Sequence, residues 1–506
     1  MILEMLVGNP IHVYSLIMRL TMQLGPLREE MSRYPMVSGI EKGMTSILRQ
    51  GENPDANDME GVTQSLARIQ FAYRLDPLDM AGGDIAGVKT EARLSPIDMI
   101  NIAMRRNSGM HPIRPGLGRE FALAIEWAEA AKNGLEKSRK DNKHLEDTIH
   151  SFINQTKKDH DLSWKAPEEN PGNLPNEEFF IRKIGESSTG IELRDEEAMK
   201  LETQVLDRKK DGWFVHDFNA LCRGEEVNMN TTSSSTTDQR CHLTTNNDPY
   251  FILAPLKLEI ISIDPVLFMY HDILTDGEMD TMKHHGFSQL VVSAMEDTSA
   301  TAGGGAGAKV TNERTQSNAW VWDHQVPLLH KLSLKTGKMS KLTAAKPVLD
   351  VVPGQLVHIV ESEAWQVGIY GPGGHYLPHY DSFESLDQTA YTPSGVWVGN
   401  RIATVMFYIS DVTGGSTAFP KIGLATRPRK GSAVFWYNLD DSGKRNNLSL
   451  HGACPTALGI KWVSNKWIRE GAQAWARPCK AVTPPPPHMC DIPLCSWNRT
   501  AFGGDI

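Results

Sequence analysis

The pattern of apolar residues changes character near position 248 of the 506-residue chain. Before this position, apolar residues recur every three or four residues, which is the spacing of one helix face. The clearest example is the stripe Val62, Leu66, Ile69 and Tyr73. After it, short runs rich in β-branched and aromatic residues alternate with glycine and proline turns, as at 365–370, 401–409, 432–437 and 461–468. The sequence therefore predicts an α+β multidomain chain, with a helical N-terminal half followed by a double-sheet jelly roll.

Further changes in composition predict five segments. They are 1–84 (helical), 85–210 (helical and more charged), 211–250 (linker), 251–480 (β-rich) and 481–506 (proline-rich tail). The linker is inferred because its centre holds a run of Ser, Thr and Asn with almost no core-forming side chains. The tail is expected to be poorly ordered, since four consecutive prolines stand near its start.

Composition argues against two kinds of partner. The formal net charge of −9 gives the chain no overall basic field, so nucleic-acid binding has no support. No apolar run reaches 18 residues, so no membrane span is expected.

Several features are typical of a secreted or luminal protein. The chain holds six cysteines, an even number that permits disulfides. Asn154 and Asn230 begin acceptor patterns for N-linked glycans. The first residues lack the charged-then-apolar layout of a signal peptide. We therefore expect that the true N-terminus is missing from this sequence.

The segment 370–383, YGPGGHYLPHYDSF, contains His379 and Asp381, two residues apart. In a strand these two side chains point to the same face and can reach one metal ion. Two histidines and one carboxylate with open positions are typical of non-heme Fe(II) oxygenases. His451, which follows the β-rich run 432–437, is the candidate third ligand. A His-x-Asp pair alone is a weak signal, and a lone histidine can equally be a core or loop residue.

An iron site of this kind leaves positions for a bidentate acid and for dioxygen, and the far carboxylate of the acid then needs a cation. Lys461 begins an apolar run shortly beyond His451 and is the candidate. A lysine at such a place either solubilises a strand edge or faces inward and pairs with an anion. Lys466 competes for this role, but it is five residues away and so faces the opposite side of a regular strand.

Several motifs, in one order along the chain, resemble the α subunit of collagen prolyl 4-hydroxylase, an iron- and 2-oxoglutarate-dependent dioxygenase. They are YGPGGHYLPHYDSF, RIATVMFYISDVTGGSTAFP, GSAVFWYNL, HGACP and KWVSNKWI, with weaker matches upstream at MYHDILTD, FILAPLKLE, LCRGE and LARIQFAYRLD. The resemblance implies that 251–480 is a double-stranded β-helix dioxygenase domain. It also implies that 1–84 is a dimerisation domain and that 85–210 is a TPR-like peptide-substrate-binding domain.

The resemblance assigns roles to individual residues. The residues that match the iron ligands are His379, Asp381 and His451. Lys461 matches the residue that holds the 2-oxoglutarate carboxylate. Tyr370 and Arg469 are further candidates for contacts to 2-oxoglutarate, although Arg469 stands where the family usually carries a histidine. Arginine can bind a carboxylate through two hydrogen bonds, but it cannot act as a neutral donor or as a base.

The resemblance also implies two disulfides, Cys222–Cys241 across the linker and Cys454–Cys479. It implies the lumen of the endoplasmic reticulum, where an oxidising environment accounts for disulfides and glycans together. Protein disulfide isomerase is the implied β subunit, and self-association is expected through the N-terminal domain. L-Ascorbate (vitamin C) is implied as the reductant of oxidised iron, and O2 as the oxidant.

The predicted function is hydroxylation of peptidyl proline at C4 in collagen-like X-Pro-Gly chains. This reaction is coupled to oxidative decarboxylation of 2-oxoglutarate to succinate and CO2. Two alternatives remain open. The predicted helix at 120–135 carries no tyrosine, whereas the family's helical middle is richer in it, which favours another proline-rich secreted protein as the substrate. Arg469 and the diverged helical half also fit a catalytically silent subunit that binds peptides or scaffolds an assembly.

Overall fold

The fold is known from a computed structural model of the chain. The structure describes residues 7–23, 54–107, 121–138, 142–165, 215–227, 241–293, 295–296, 308–309, 314–345, 347–352, 355–383, 398–473 and 476–477. The predictions for Asn230, Cys479 and the tail 481–506 lie outside the described residues.

The described N-terminal part is helical, as the apolar spacing predicts. Its elements are α1 (Pro10–Met18), a π-helical turn (Arg19–Gln23), α2 (Ala56–Tyr73), α3 (Pro77–Ala81), the hairpin β1 (Asp84–Ile85) and β2 (Val88–Lys89), α4 (Pro96–Asn107), α5 (Phe121–Ser138) and α6 (Lys143–Lys165). Side-chain caps set where two helices begin. Asn9 accepts from the Ile11 amide before α1, and Asp55 forms a capping box with Asp58 before α2. No described helix is both long and apolar enough to cross a membrane.

One hydrophobic core joins the helices on both sides of residue 84. Leu66 of α2 lies in the same buried cluster as Ile100 of α4 and Trp127 of α5. The indole N–H of Trp127 donates to the side-chain oxygen of Gln70 at 2.7 Å, so its polar atom is satisfied inside the core. The domain boundary at residue 84 does not coincide with a break in this core, and it stays a prediction.

The C-terminal half is built on two antiparallel sheets. The spatial order of the larger sheet is β3 (Cys241–Thr244), β4 (Leu256–Ser262), β5 (Leu267–His271), β18 (Ala433–Tyr437), β14 (Arg401–Tyr408), β21 (Lys461–Arg469), β12 (Trp365–Tyr370), β9 (Ser317–Val321) and β6 (Val291–Val292). The smaller sheet has the order β13 (Tyr376–His379), β19 (His451–Ala453), β16 (Thr417–Phe419) and β17 (Leu424–Thr426).

Shorter strand pairs and three helices complete this half. The pairs are β7 (Met295–Glu296) with β8 (Ala308–Lys309), β10 (Pro347–Val352) with β11 (Gln355–Val360), and β15 (Thr413–Gly414) with β20 (Thr456–Leu458). The helices are α7 (Val215–Arg223), α8 (Asp276–Phe287) and α9 (Pro327–Ser340), and short 3-10 turns lie at Pro249–Phe251, Asn447–Ser449 and Glu470–Ala472.

The two faces of the larger sheet bury different side chains. Successive residues of a strand point to opposite faces. Phe407 of β14 therefore packs in a core with residues of α8 and α9, whereas Met406 and Tyr408 face the smaller sheet. This arrangement confirms the α+β architecture with a double-sheet domain in the C-terminal half. The candidate site residues lie between the two sheets.

The end of α2 contacts three loops of the β half. The Tyr73 hydroxyl donates to the Pro455 carbonyl and accepts a hydrogen bond from the Gly415 amide at 3.1 Å. The Arg68 side chain donates to the Gly373 carbonyl at 2.9 Å. The loops at Gly373 and Pro455 each lie a few residues from a strand that carries a candidate site residue, so the helical half is joined to the β half directly beside the site.

The structure pairs Cys222 with Cys454, and their Cα atoms lie 5.5 Å apart. The implied pairs Cys222–Cys241 and Cys454–Cys479 are therefore wrong, because each sulfur forms one such bond. The cause is the packing of α7, which buries Phe218 against the smaller sheet and so brings Cys222 beside Cys454. Cys241 begins the edge strand β3, where it is exposed and bonded to no other described cysteine. This disulfide thus joins the linker segment to the β half instead of closing a loop within the linker.

This pairing can be tested by peptide mapping. We expect a non-reducing digest of the folded protein to contain the Cys222 peptide linked to the Cys454 peptide, and mass spectrometry to lose that species after reduction. A link between Cys222 and Cys241 would contradict the position of α7.

Asn154 lies exposed on α6, whereas Thr156 of the same acceptor pattern is buried. Attachment of a glycan at Asn154 stays a prediction.

Candidate active site

Strand pairing brings the two histidines together. β13 and β19 pair in antiparallel fashion, and His379 lies directly opposite His451 in their register. Asp381 follows His379 by two residues, just beyond the end of β13. One ligand atom from each of the three residues lies within 4.8 Å of the others. Nε2 of His379 is 3.7 Å from Oδ1 of Asp381, and Nε2 of His451 is 3.7 Å from Oδ2.

Main-chain carbonyls orient both imidazoles. Nδ1 of His379 lies 2.8 Å from the Leu377 carbonyl, and Nδ1 of His451 lies 2.9 Å from the Ser449 carbonyl. Because a carbonyl oxygen only accepts, each Nδ1 carries a hydrogen, and Nε2 is the ring nitrogen that faces the carboxylate. Histidines that bind metals are commonly oriented in this way.

Burial and charge set the protonation states of the site. Burial lowers the pKa of His379 to about 3, and the neighbouring His451 adds to this effect. Burial would raise the pKa of Asp381, but the nearby His451, His379 and Arg401 together hold this pKa at about 2. At neutral pH, His379 is therefore a neutral imidazole and Asp381 a carboxylate. Two nitrogen donors and one carboxylate fit Fe(II) with positions open for other ligands.

Lys461 lies buried in the same cavity as the three candidate ligands. Its ammonium is 5.2 Å from the ring centre of Tyr370 and 5.7 Å from that of Tyr408. Burial lowers the pKa of Lys461 to about 7, and no acidic neighbour in the described part of the chain offsets this effect. An anionic ligand in the cavity would supply the missing partner.

Lys466 faces the other side of β21, as alternation along the strand predicts. Its ammonium pairs with Asp323 at 2.8 Å and also donates to the Glu363 carbonyl at 2.8 Å. Lys466 does not line the cavity. Its position and its existing partners therefore favour Lys461 as the cation for an acid ligand.

The structure does not bring Arg469 to the cavity. Its guanidinium lies 3.2 Å from Oε1 of Glu363 and 5.1 Å from the ring centre of Phe383. The expected contact of Arg469 with 2-oxoglutarate has no support from this position, because the side chain pairs with Glu363 and does not line the cavity. Tyr370, in contrast, lines the cavity beside Lys461.

Two arginines that no motif singled out also line this cavity of about 150 Å³. Arg401 donates to Glu363 through Nε and Nη2, both at 2.7 Å, and lies 3.9 Å from the ring centre of Trp467. Arg314 lies 4.8 Å from the ring centre of Tyr376. The cavity therefore combines cationic and aromatic walls, which suit an acid and an apolar ring as ligands.

Two solved structures match part of the chain. A viral collagen prolyl hydroxylase from Paramecium Bursaria Chlorella virus-1, solved as a 2OG complex, is 22% identical with a TM-score of 0.29, and the match covers 40% of this chain and 95% of that chain. A prolyl-4-hydroxylase from Pseudomonas putida is 14% identical with a TM-score of 0.24, and the match covers 40% of this chain and 91% of that chain.

Two family models match separate parts of the chain. The model described as 2OG-Fe(II) oxygenase superfamily matches residues 365–469, the range that contains all three candidate ligands and Lys461. The model described as Prolyl 4-Hydroxylase alpha-subunit, N-terminal region, matches residues 3–87. The protein is thus an oxygenase of the iron- and 2-oxoglutarate-dependent class.

Curated relatives extend over nearly the whole chain. Prolyl 4-hydroxylase subunit alpha-1 of Rattus norvegicus is 29% identical over 492 residues, which are 94% of this chain and 85% of the relative. The Homo sapiens subunit alpha-1 is 29% identical over 496 residues, which are 94% of this chain and 85% of that relative. Subunit alpha-2 of Caenorhabditis elegans is 28% identical over 482 residues, which are 94% of this chain and 82% of that relative. The chain is a homologue of the prolyl 4-hydroxylase α subunits.

Proposed function

We propose that this protein hydroxylates peptidyl proline at C4 in collagen-like X-Pro-Gly chains. The observation that carries the proposal is the meeting of the three candidate iron ligands and the buried Lys461 in one cavity. One oxygen atom of O2 enters the C–H bond at C4. The other enters succinate, which forms together with CO2 as 2-oxoglutarate is decarboxylated.

The three ligand residues would hold Fe(II) on one side of the cavity. His379 and His451 would bind it through Nε2, since a main-chain carbonyl accepts a hydrogen bond from Nδ1 of each. Asp381 would contribute one negative charge, so the bound Fe(II) would keep a net positive charge and attract an anionic acid. When bound, iron and 2-oxoglutarate supply the oxidising chemistry, while the protein fixes which C–H bond meets it.

Lys461 would pair with the far carboxylate of 2-oxoglutarate. The pair forms between the rings of Tyr370 and Tyr408, where little water screens it. The carboxylate offsets the desolvation that lowers the pKa of Lys461, so binding restores a stable positive charge.

Aromatic side chains of the cavity suit a proline-rich substrate. Besides Tyr370, the Tyr and Trp residues that line the cavity are Trp320, Tyr376, Tyr380, Trp436 and Trp467. Aromatic grooves recognise polyproline-II peptides, which have little ordering entropy left to lose on binding.

We further infer that the protein works in the lumen of the endoplasmic reticulum. The disulfide Cys222–Cys454 supports an oxidising compartment. The relatives are named as subunits, which supports a partner chain, and we propose protein disulfide isomerase for that role. Self-association through the N-terminal region and a requirement for ascorbate belong to the same proposal.

The test is an assay of the full chain co-expressed with protein disulfide isomerase. Peptides of Pro-Pro-Gly repeats, Fe(II), 2-oxoglutarate and ascorbate are supplied, and we expect one oxygen atom added to the proline before glycine for each succinate released. Modification of a proline-rich peptide without glycine, in preference to these repeats, would identify the alternative substrate class. Absence of succinate with every peptide would identify a silent subunit.

Replacement of Arg469 by histidine should leave the KM for 2-oxoglutarate within about threefold of wild type. The reason is that the Arg469 guanidinium pairs with Glu363 and does not line the cavity. The measurement is succinate release against 2-oxoglutarate concentration at saturating peptide. Lys461→Met is the positive control, since its KM for 2-oxoglutarate should rise. A rise of about tenfold or more would show that Arg469 reaches the acid in the working enzyme.

A further inference from the structure

A chain of buried hydrogen bonds ends on the carboxylate of Asp381. Thr404 of β14 lies almost fully buried, with its Oγ1 atom 2.7 Å from Oδ2 of Asp381. The side-chain nitrogen of Asn438 lies 2.8 Å from the same Thr404 oxygen. The indole nitrogen of Trp436 lies 2.9 Å from the side-chain oxygen of Asn438. All of these side chains are 7% exposed or less.

The direction of each hydrogen bond follows from the chemistry of its atoms. An indole N–H only donates, so the atom of Asn438 that faces Trp436 is its oxygen. The NH2 group of Asn438 therefore faces Thr404 and donates to its hydroxyl oxygen. The Thr404 hydrogen is left to point at Oδ2 of Asp381, which accepts it. The chain is polarised toward the carboxylate, and a hydrogen bond to a charged acceptor is among the stronger kinds.

This chain bears on how Asp381 would bind the metal proposed above. A carboxylate can bind one ion through a single oxygen or through both. Six positions around Fe(II) leave three after two histidines and one carboxylate oxygen, which are two for the 2-oxo acid and one for dioxygen. Binding through both carboxylate oxygens would occupy the position that dioxygen needs.

We propose that Thr404 is a positioning residue that restricts Asp381 to binding the metal through Oδ1 alone. Its hydroxyl occupies Oδ2, and Asn438 and Trp436 prevent the hydroxyl from turning away. The coordination position for dioxygen is thereby kept open. This inference rests on the iron site of the proposed function. The number of open positions on the metal is then set by a side chain that does not touch the metal.

The test compares Thr404→Val, which keeps the shape and removes the hydroxyl, with Thr404→Ser, which keeps the hydroxyl. Nitric oxide serves as a probe of the dioxygen position in the anaerobic complex of full-length protein, Fe(II) and 2-oxoglutarate. Its binding is followed by the electron paramagnetic resonance signal of the ferrous–nitrosyl adduct. We expect Thr404→Val to weaken nitric oxide binding by about 10- to 100-fold while Fe(II) is still retained. Thr404→Ser should remain within about threefold of wild type.

Thr336→Val is the matched control. Thr336 is also buried, but its hydroxyl donates to the Leu332 carbonyl within α9, away from the cavity. It should lower stability without changing nitric oxide binding. If Thr404→Val does not fold, Trp436→Phe takes its place as the test variant. It keeps an aromatic ring but removes the hydrogen bond to Asn438. We expect this variant also to bind nitric oxide more weakly than wild type.

Unchanged nitric oxide affinity in the folded Thr404→Val protein, or in Trp436→Phe where that variant decides, would overturn the inference. A loss of Fe(II) binding in Thr404→Val that Thr404→Ser does not restore would also overturn it. Failure of the wild-type protein to bind Fe(II) and 2-oxoglutarate at all would instead overturn the proposed function.

Discussion

Replacement of His451 by alanine is expected to abolish proline hydroxylation. The variant leaves one imidazole and one carboxylate to hold the ion, and the alanine methyl group offers no donor in place of Nε2. Loss of a residue that merely orients a ligand costs about 10- to 100-fold in metal affinity, so loss of the ligand itself should cost more than about 100-fold. The same result is expected for His379→Ala and for Asp381→Ala, since each residue supplies one donor atom to the cluster.

Two measurements separate loss of metal from loss of fold. Anaerobic titration gives the Fe(II) affinity, and mass spectrometry of a Pro-Pro-Gly peptide gives the hydroxylation. His330→Ala is the matched control, because His330 is exposed on α9 and lies outside the site. It should bind iron and hydroxylate as wild type does. Hydroxylation retained in any one of the three ligand variants would contradict the assignment.

Lys461→Met should raise the KM for 2-oxoglutarate by about 30-fold or more. Methionine fills similar space without a charge, so the far carboxylate would lie buried without a partner, at a cost of about 2 kcal/mol or more. Iron binding should persist, since Lys461 is not among the three donors. Lys466→Met is the control: it breaks the pair with Asp323 and should lower stability while leaving the KM for 2-oxoglutarate unchanged. The reverse result would move the role from Lys461 to Lys466.

The pH dependence gives Lys461 a signature of its own. In the ligand-free protein, burial lowers the pKa of Lys461 from 10.5 to about 7. A bound carboxylate raises that pKa, so binding of 2-oxoglutarate takes up a proton at any pH between the two values. The KM for 2-oxoglutarate should therefore be flat below about pH 7 and rise between about pH 7 and pH 9. This rise should disappear in Lys461→Met, and a flat profile in wild type would contradict the pairing.

Features that depend on local alternation could be predicted from the sequence. β12 occupies 365–370 as predicted, and the opposite facing of Lys461 and Lys466 follows from their odd separation. The apolar residues at 251–256 are typical of a strand, but the structure differs there: a 3-10 turn ends at Phe251, and β4 begins only at Leu256. Pro255 lacks the N–H that a strand interior would use, which explains the late start.

Features that depend on distant contacts could not be predicted from local pattern. The residues near His451 do not indicate that it lies opposite His379, because the register between β13 and β19 depends on tertiary packing. Arg401 shows the same limit within a correctly predicted strand. A register shift between Arg401 and Ala403 breaks the alternation there, and Arg401 lines the cavity although Val405 packs in the core on the other face of the sheet.

The hydrogen bonds from α2 to the loops at Gly373, Gly415 and Pro455 restrict how such a chain can diversify. A change in the length or course of one of these loops would leave the Tyr73 hydroxyl or the Arg68 guanidinium without its buried acceptor, which costs about 1–3 kcal/mol for each unmet group. A change in one of these loops would therefore require a matching change in α2. A chimaera that joins this helical segment to the oxygenase domain of a distant relative should fold poorly unless the matching loops are transplanted with it.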